Sequence, residues 1–145
     1  MSQAYIKAVC LSDKRGVPKK TVQEGHLKNA YGLLGDAHAG RGDKEVSILL
    51  SQYLTSVKNS LGMNPEPGSF AENLLVDGME EEKIAIGTVL QIGEAVLEVE
   101  SIGKDPSESH SYSFHGFSLL ADKGVFCRVV RSGLVKSGDM VVVSN

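Results

Sequence analysis

The sequence predicts one mostly β domain whose strands close, or nearly close, into a barrel, with a few short helices. Three observations carry this. The apolar residues fall in short β-branched runs, and 16 glycines punctuate a chain of 145 residues. From Gly87 onward they recur at Gly93, Gly103, Gly116, Gly124, Gly133 and Gly138, as turns do in an all-β domain. Only one stretch has a clear helical period, and 145 residues suit a single domain, 1–145, that buries roughly two thirds of its unfolded surface. Closing short strands into a barrel also removes exposed edges.

Taken in order, Ala4 to Ser12 alternates Tyr5, Lys7, Val9 and Leu11 against Ile6, Ala8 and Cys10, a first strand with apolar groups on both faces. Ser12 to Lys20, with Gly16, Pro18 and four basic residues, reads as an exposed turn, and Thr21 to Lys28 as a short second strand. In Val46 to Leu61, residues Val46, Leu49, Leu50, Tyr53, Leu54, Val57 and Leu61 fall at steps of three and four, which predicts a helix packed across the barrel. Gly62 and Pro65 end it. Strands are expected near Lys83 to Ile86, Thr88 to Ile92, Ala95 to Ile102, Gly124 to Arg131 and Met140 to Ser144. Between them, Asp105 to Ser113 carries Pro106, four serines, His110 and Tyr112 and reads as a polar loop.

Composition narrows the function. Lys plus Arg number 15 against 18 Asp plus Glu, a net charge of −3 with the signs mixed, which argues against a nucleic-acid partner. No apolar run approaches the ~20 residues of a membrane helix, so no membrane association is expected. Two cysteines, Cys10 and Cys127, are too few for a disulfide framework and lack zinc-ligand spacing, so reduced thiols in a cytoplasm are expected. No Gly-x-Ser-x-Gly elbow, Walker pattern or Gly-x-Gly-x-x-Gly turn is present.

Two segments stand out chemically. In Pro67-Gly68-Ser69-Phe70-Ala71-Glu72-Asn73-Leu74, a turn places Glu72 and Asn73 between two large apolar anchors. Half-buried polar groups need partners, so this pair either pins a loop or floors a ligand site. In Leu33 to Gly42, Asp36 and His38 share a face of extended chain and suit a metal, a proton or only each other. His26, His110 and His115 add no helpful ligand spacing, so no metal site is assigned. Asp36, His38, Glu72, Asn73 and Lys104 are expected to converge on one concavity.

The ordered motifs resemble a known family. Gly35-Asp36-Ala37-His38-Ala39-Gly40 with Val46-Ser47-Ile48-Leu49, then Pro67 to Leu74, Ile86 to Ala95, Ile102-Gly103-Lys104, and Gly124 to Val129 with Gly138-Asp139 are similar to a MOSC domain. That domain is named for the C-terminal part of molybdenum cofactor sulfurases, and the likeness, to its short stand-alone bacterial type, runs over residues 23–143. The resemblance implies a barrel like that of pyruvate kinase and a role in molybdenum cofactor metabolism. It implies binding of the cofactor (molybdopterin) or its pterin phosphate, with sulfur transfer or molybdenum-dependent reduction as the chemistry. Molybdenum-ion and pyridoxal-phosphate binding and a sulfur-carrier role belong to the same set of expectations. Lys104, Arg128 and Arg131 would then meet the phosphate, and Asp36, His38, Glu72 and Asn73 would shape the pocket. The partner would be a molybdoenzyme or a cofactor-biosynthesis protein.

The family's usual cysteine would fall at Pro106, where no thiolate is available. The resemblance therefore leaves a second function open, a non-catalytic module that binds a pterin or another small anion. Cys127, standing where relatives commonly carry alanine, is the candidate for a replacement thiol. On this reading Cys127→Ala would abolish residual thiol chemistry and Cys10→Ala would not.

Overall fold

The computed structural model describes residues 3–42, 44–103 and 113–144. Its strands are β1 (Ala4–Leu11), β2 (Lys20–Val22), β3 (Glu24–Lys28), β4 (Gly32–Leu33), β5 (Val46–Leu50), β6 (Leu74–Asp77), β7 (Val89–Ile92), β8 (Ala95–Ile102), β9 (Val125–Arg131), β10 (Gly133–Lys136) and β11 (Met140–Ser144). Among the described residues two α-helices, α1 (Leu54–Leu61) and α2 (Leu119–Lys123), accompany them, with 3-10 turns at Ser51–Tyr53 and Glu81–Lys83.

Seven strands close a barrel in the order β11-β7-β8-β9-β5-β6-β1, sealed where β1 pairs with β11 through Ala4 opposite Val141 and Tyr5 opposite Met140. Within this ring only β5 and β6 run parallel, with Ile48 opposite Leu74. The parallel pair is possible because α1 and the Pro67 turn carry the chain back over the outside between the two strands. β2 adds to the edge of β1, and β10, β3 and β4 form a separate three-stranded sheet.

Two apolar layers sit on opposite faces of the same strands. Ile6, Val9, Val46, Ile48, Leu50, Leu74 and Val76 point into the barrel with Leu97, Val99, Cys127 and Val129. Ala8, Cys10, Leu49 and Leu75 point outward, under Val57 of α1, Phe70 and Leu119 of α2. β1, β5 and β6 are therefore covered on both sides, as the strands of layered α/β sheets are.

This double cover corrects the largest expectation. The helix anticipated over Val46 to Leu61 is a strand for its first five residues, all of them buried. A strand buried on both faces reads as a continuous apolar run, and over five residues such a run satisfies either period. Pairing decides it, because β5 bonds to β6 on one side and to β9 on the other. From Leu54 the helix is as expected, and it ends on Gly62 in the left-handed region at φ 71°.

Smaller corrections follow the same logic. Lys83 to Ile86 holds the end of a 3-10 turn, Glu81–Lys83, rather than a strand. Thr21 to Lys28 divides at Gln23 into β2 and β3, which join different sheets. β6, β10 and α2 were too short to show a period in the sequence. The loop Asp105 to Ser113 lies outside the described residues except for Ser113.

Candidate functional site: a buried lysine between aspartate and histidine

The Pro67–Asn73 turn is held by its own polar side chains. Glu72, 1% exposed, accepts the Gly68 N–H at 2.8 Å with Oε2 and the Phe70 N–H at 3.1 Å with Oε1. Asn73, equally buried, accepts the Ser47 N–H at 3.0 Å and donates from Nδ2 to the Cys10 carbonyl at 3.2 Å, tying β5 and β1 together at the start of β6. Phe70 anchors the turn in the outer apolar layer and meets Phe114 edge-on at 5.3 Å between ring centroids. Of the two roles open to Glu72 and Asn73, these bonds serve the pinning of the loop.

The turn also seats a residue that sequence reading placed in solvent. The Gly68 carbonyl accepts the Lys19 N–H at 2.9 Å, and a Cβ on Gly68, whose φ is +87°, would lie 2.1 Å from the Lys19 carbonyl oxygen. This close approach requires glycine. It directs the Lys19 side chain inward, where it is 1% exposed and its Nζ donates to Asp36 Oδ1 at 2.7 Å.

Asp36 is fully engaged. Its Oδ1 also accepts the Ser12 N–H at 3.1 Å, and its Oδ2 accepts the His38 N–H at 3.1 Å. Burial pushes this carboxyl up, but the hydrogen bonds with His38 and Lys19 and the lysine charge outweigh it and hold Asp36 well below the usual carboxylate range. His38 Nδ1 lies 3.3 Å from Lys19 Nζ and 3.6 Å from Asp36 Oδ2, and its side chain is 33% exposed. What Asp36 and His38 hold between them is none of the three groups offered by the sequence but the lysine ammonium.

Two buried ionisable groups flank the cluster. Burial raises the Glu72 carboxyl, against the N–H bonds from Gly68 and Phe70 and the charge of Lys19. Burial and then the charge of Glu72 push the Cys10 thiol up to about 12, opposed by Lys19. Neither thiol is placed for chemistry. Cys10 lies in the outer apolar layer and Cys127 inside the barrel, both 0% exposed, and burial raises Cys127 well above the usual thiol range.

The remaining candidates lie elsewhere. Arg128 and Arg131 are both exposed side chains of β9. Arg128 bonds Glu98 opposite it on β8, with Nε 2.8 Å from Oε1, and Arg131 Nε donates to the Glu94 carbonyl at 2.7 Å. Lys104 is outside the described residues. The structure thus joins Asp36 and His38 directly, and links them to Glu72 through Lys19 and Gly68. Sequence reading missed Lys19 because nothing distinguishes it from Lys14, Arg15 and Lys20. The usable signal was the converse one, an aspartate between apolar and glycine residues that needs a cation.

A cleft of about 610 Å3 lies apart from this cluster, lined by Ala4, Met79, Glu80, Glu82, Lys83 and Met140 among others. It has the size of a small-molecule site, but among the described residues no histidine, cysteine or arginine lines it. The buried polar cluster is the better candidate because polar groups held in fixed geometry away from water are what a binding site requires. Among the described residues no three His, Cys, Asp or Glu groups converge as a metal site, and no helix is long and apolar enough to cross a membrane.

Solved structures share this fold. The YuaD protein from Bacillus subtilis is similar with a TM-score of 0.74 at 18% identity, over 97% of this chain and 94% of that one. YiiM from Geobacillus stearothermophilus gives 0.74 at 17% identity, over 98% and 75%, and YiiM from Escherichia coli 0.66 at 19%, over 97% and 70%. No curated protein matches the sequence. The model of the MOSC domain matches residues 35–142, spanning the Asp36–His38 loop, the Pro67 turn and six of the seven barrel strands, and the chain belongs to the MOSC domain family.

Proposed function

We propose that this MOSC domain serves molybdenum cofactor metabolism as a binding module, holding the cofactor or its pterin phosphate through hydrogen bonds and carrying no sulfur on its own cysteines. The observation that carries this reading is the burial of both thiols, each 0% exposed and each raised by that burial. Sulfur transfer needs an accessible thiolate, and so does ligation of molybdenum by cysteine. With proline at position 106, neither function of the family's cysteine has a donor there.

The donors present do not fit molybdenum ligation. Asp36 is committed to Lys19, Ser12 and His38, and Glu72 to the Pro67 turn. The cluster fits recognition of an acceptor oxygen, such as a phosphate or a pterin carbonyl, because His38, a third exposed, is backed by a buried ammonium. A place in the cytoplasm beside a molybdoenzyme or a cofactor-biosynthesis protein is part of this reading, supported by two free cysteines.

The test is titration of the purified protein with molybdopterin released from a molybdoenzyme, followed by pterin fluorescence, together with a sulfur-transfer assay. Saturable binding without transfer is expected. Absence of saturable binding, or sulfur transfer by the wild-type protein that a Cys10→Ser, Cys127→Ser protein lacks, would overturn the reading.

A further inference from the structure

We propose that Lys19 is the positioning residue of this site: its ammonium fixes His38 as an Nε2–H donor, and that donor takes an oxygen of an oxyanion. The proposal rests on the binding reading above and names the group that contacts the ligand and the class of ligand atom it accepts.

The geometry favours one arrangement of protons. An ammonium carries three donors and no lone pair, so at 3.3 Å from His38 Nδ1 it bonds only a ring whose Nδ1 is unprotonated. Asp36 Oδ2, at 3.6 Å, is farther from Nδ1 than the ammonium is and already accepts the His38 backbone N–H. The single ring proton of the neutral imidazole is then on Nε2. Lys19 and Asp36, 1% and 0% exposed, lie on the Nδ1 side of the ring, and a third of the His38 side chain remains open to solvent for a ligand.

An Nε2–H has no lone pair for a metal ion and offers one hydrogen bond to an acceptor. Behind it the ammonium polarises the ring from a position removed from water, where its field is poorly screened. An anionic oxygen gains most from such a donor. Phosphate and tetrahedral metal oxyanions share that chemistry. Asp36 holds the lysine and does not face the ligand, since its three bonds are internal. The Asp-x-His spacing, which suits a metal in the sequence, is used here to hold a proton donor.

Histidine tautomers are read directly by long-range 1H–15N correlation on protein labelled at histidine, with His38→Ala giving the assignment. Wild-type His38 is expected as the Nε2–H tautomer. In Lys19→Met the population should move toward Nδ1–H, facing Asp36, and Lys19→Arg should restore the wild-type form. Inorganic phosphate and molybdate, added separately, should move the His38 Nε2 resonance saturably, the tighter one identifying the oxyanion. His38→Ala, which leaves the Lys19–Asp36 pair intact, should weaken binding of the tighter anion about tenfold or more, measured by calorimetry.

An Nδ1–H tautomer in the wild type would overturn the proposal, as would anion binding unchanged in His38→Ala or no response of His38 to either anion. If Lys19→Met does not fold, the wild-type tautomer and His38→Ala still decide. Failure of the cofactor reading is separate: there, molybdopterin does not bind although His38 responds to phosphate or molybdate.

Discussion

Replacing Lys19 with methionine tests the buried cluster most severely. Methionine fills much of the lysine's volume, so the change removes the charge with little loss of packing. It leaves Asp36, whose side chain is 0% exposed, with two backbone N–H donors and no counter-charge. Breaking a buried pair from one side costs about 3–5 kcal/mol, and the two remaining bonds place this case at about 3 kcal/mol. For a chain of this size the melting temperature should fall by about 10 °C, read by circular dichroism at pH 7.

The loss should also depend on pH with a definite sign. In the wild type the folded Asp36 carboxyl is depressed, so its contribution is full above the unfolded value of about 3.9 and is lost as pH falls below it. Without the ammonium, Asp36 keeps its burial and should titrate above its unfolded value. Lys19→Met then gains stability as pH falls toward 4. Glu72, raised by burial and opposed by the Lys19 charge, shifts further the same way in the variant. The gap between the two proteins should therefore narrow from pH 7 to pH 4. A loss under about 1 kcal/mol, or a gap constant over that range, would refute the buried pair.

Other positions give independent outcomes. Gly68→Ala sets a Cβ 2.1 Å from the Lys19 carbonyl at φ +87° and should cost more than about 3 kcal/mol, seen as a lower urea midpoint or insoluble protein. Asn73→Ala strips the Ser47 N–H and the Cys10 carbonyl of their buried partner and should cost about 2–3 kcal/mol by the same measurement. With the Cys10 thiol pushed up to about 12 and Cys127 inside the barrel, neither should react with iodoacetamide at pH 7.5 until urea unfolds the protein, as followed by intact mass. Fast alkylation of the native protein would show that a thiol is accessible after all.

Strands covered on one side were legible in the sequence because alternation survives in them. Ala95 to Ile102 was bounded as it stands in the structure, and Leu97 and Val99 do face the barrel. Val46 to Leu50 was not legible, because a second layer on its outer face erases the alternation that identifies a strand. The site divides in the same way. Asp36, His38, Glu72 and Asn73 were visible as polar groups in apolar or glycine-rich company, and each has fixed partners. Lys19 was invisible because its burial depends on Gly68, about fifty residues away in the chain, accepting its N–H. Arg128 was visible as a basic residue on a strand, but Glu98, its partner across the β8–β9 pair, can be named only once the register is known.

The central claim, that this MOSC domain binds the cofactor or its pterin phosphate without sulfur chemistry of its own, is met most directly by native mass spectrometry. The protein is isolated from its own host without denaturation, and the same sample is then measured unfolded. The account predicts a native species carrying a pterin-phosphate mass, and an unfolded chain with Cys10 and Cys127 both unmodified. A native mass equal to the bare chain, or a persulfide on either cysteine, would contradict it.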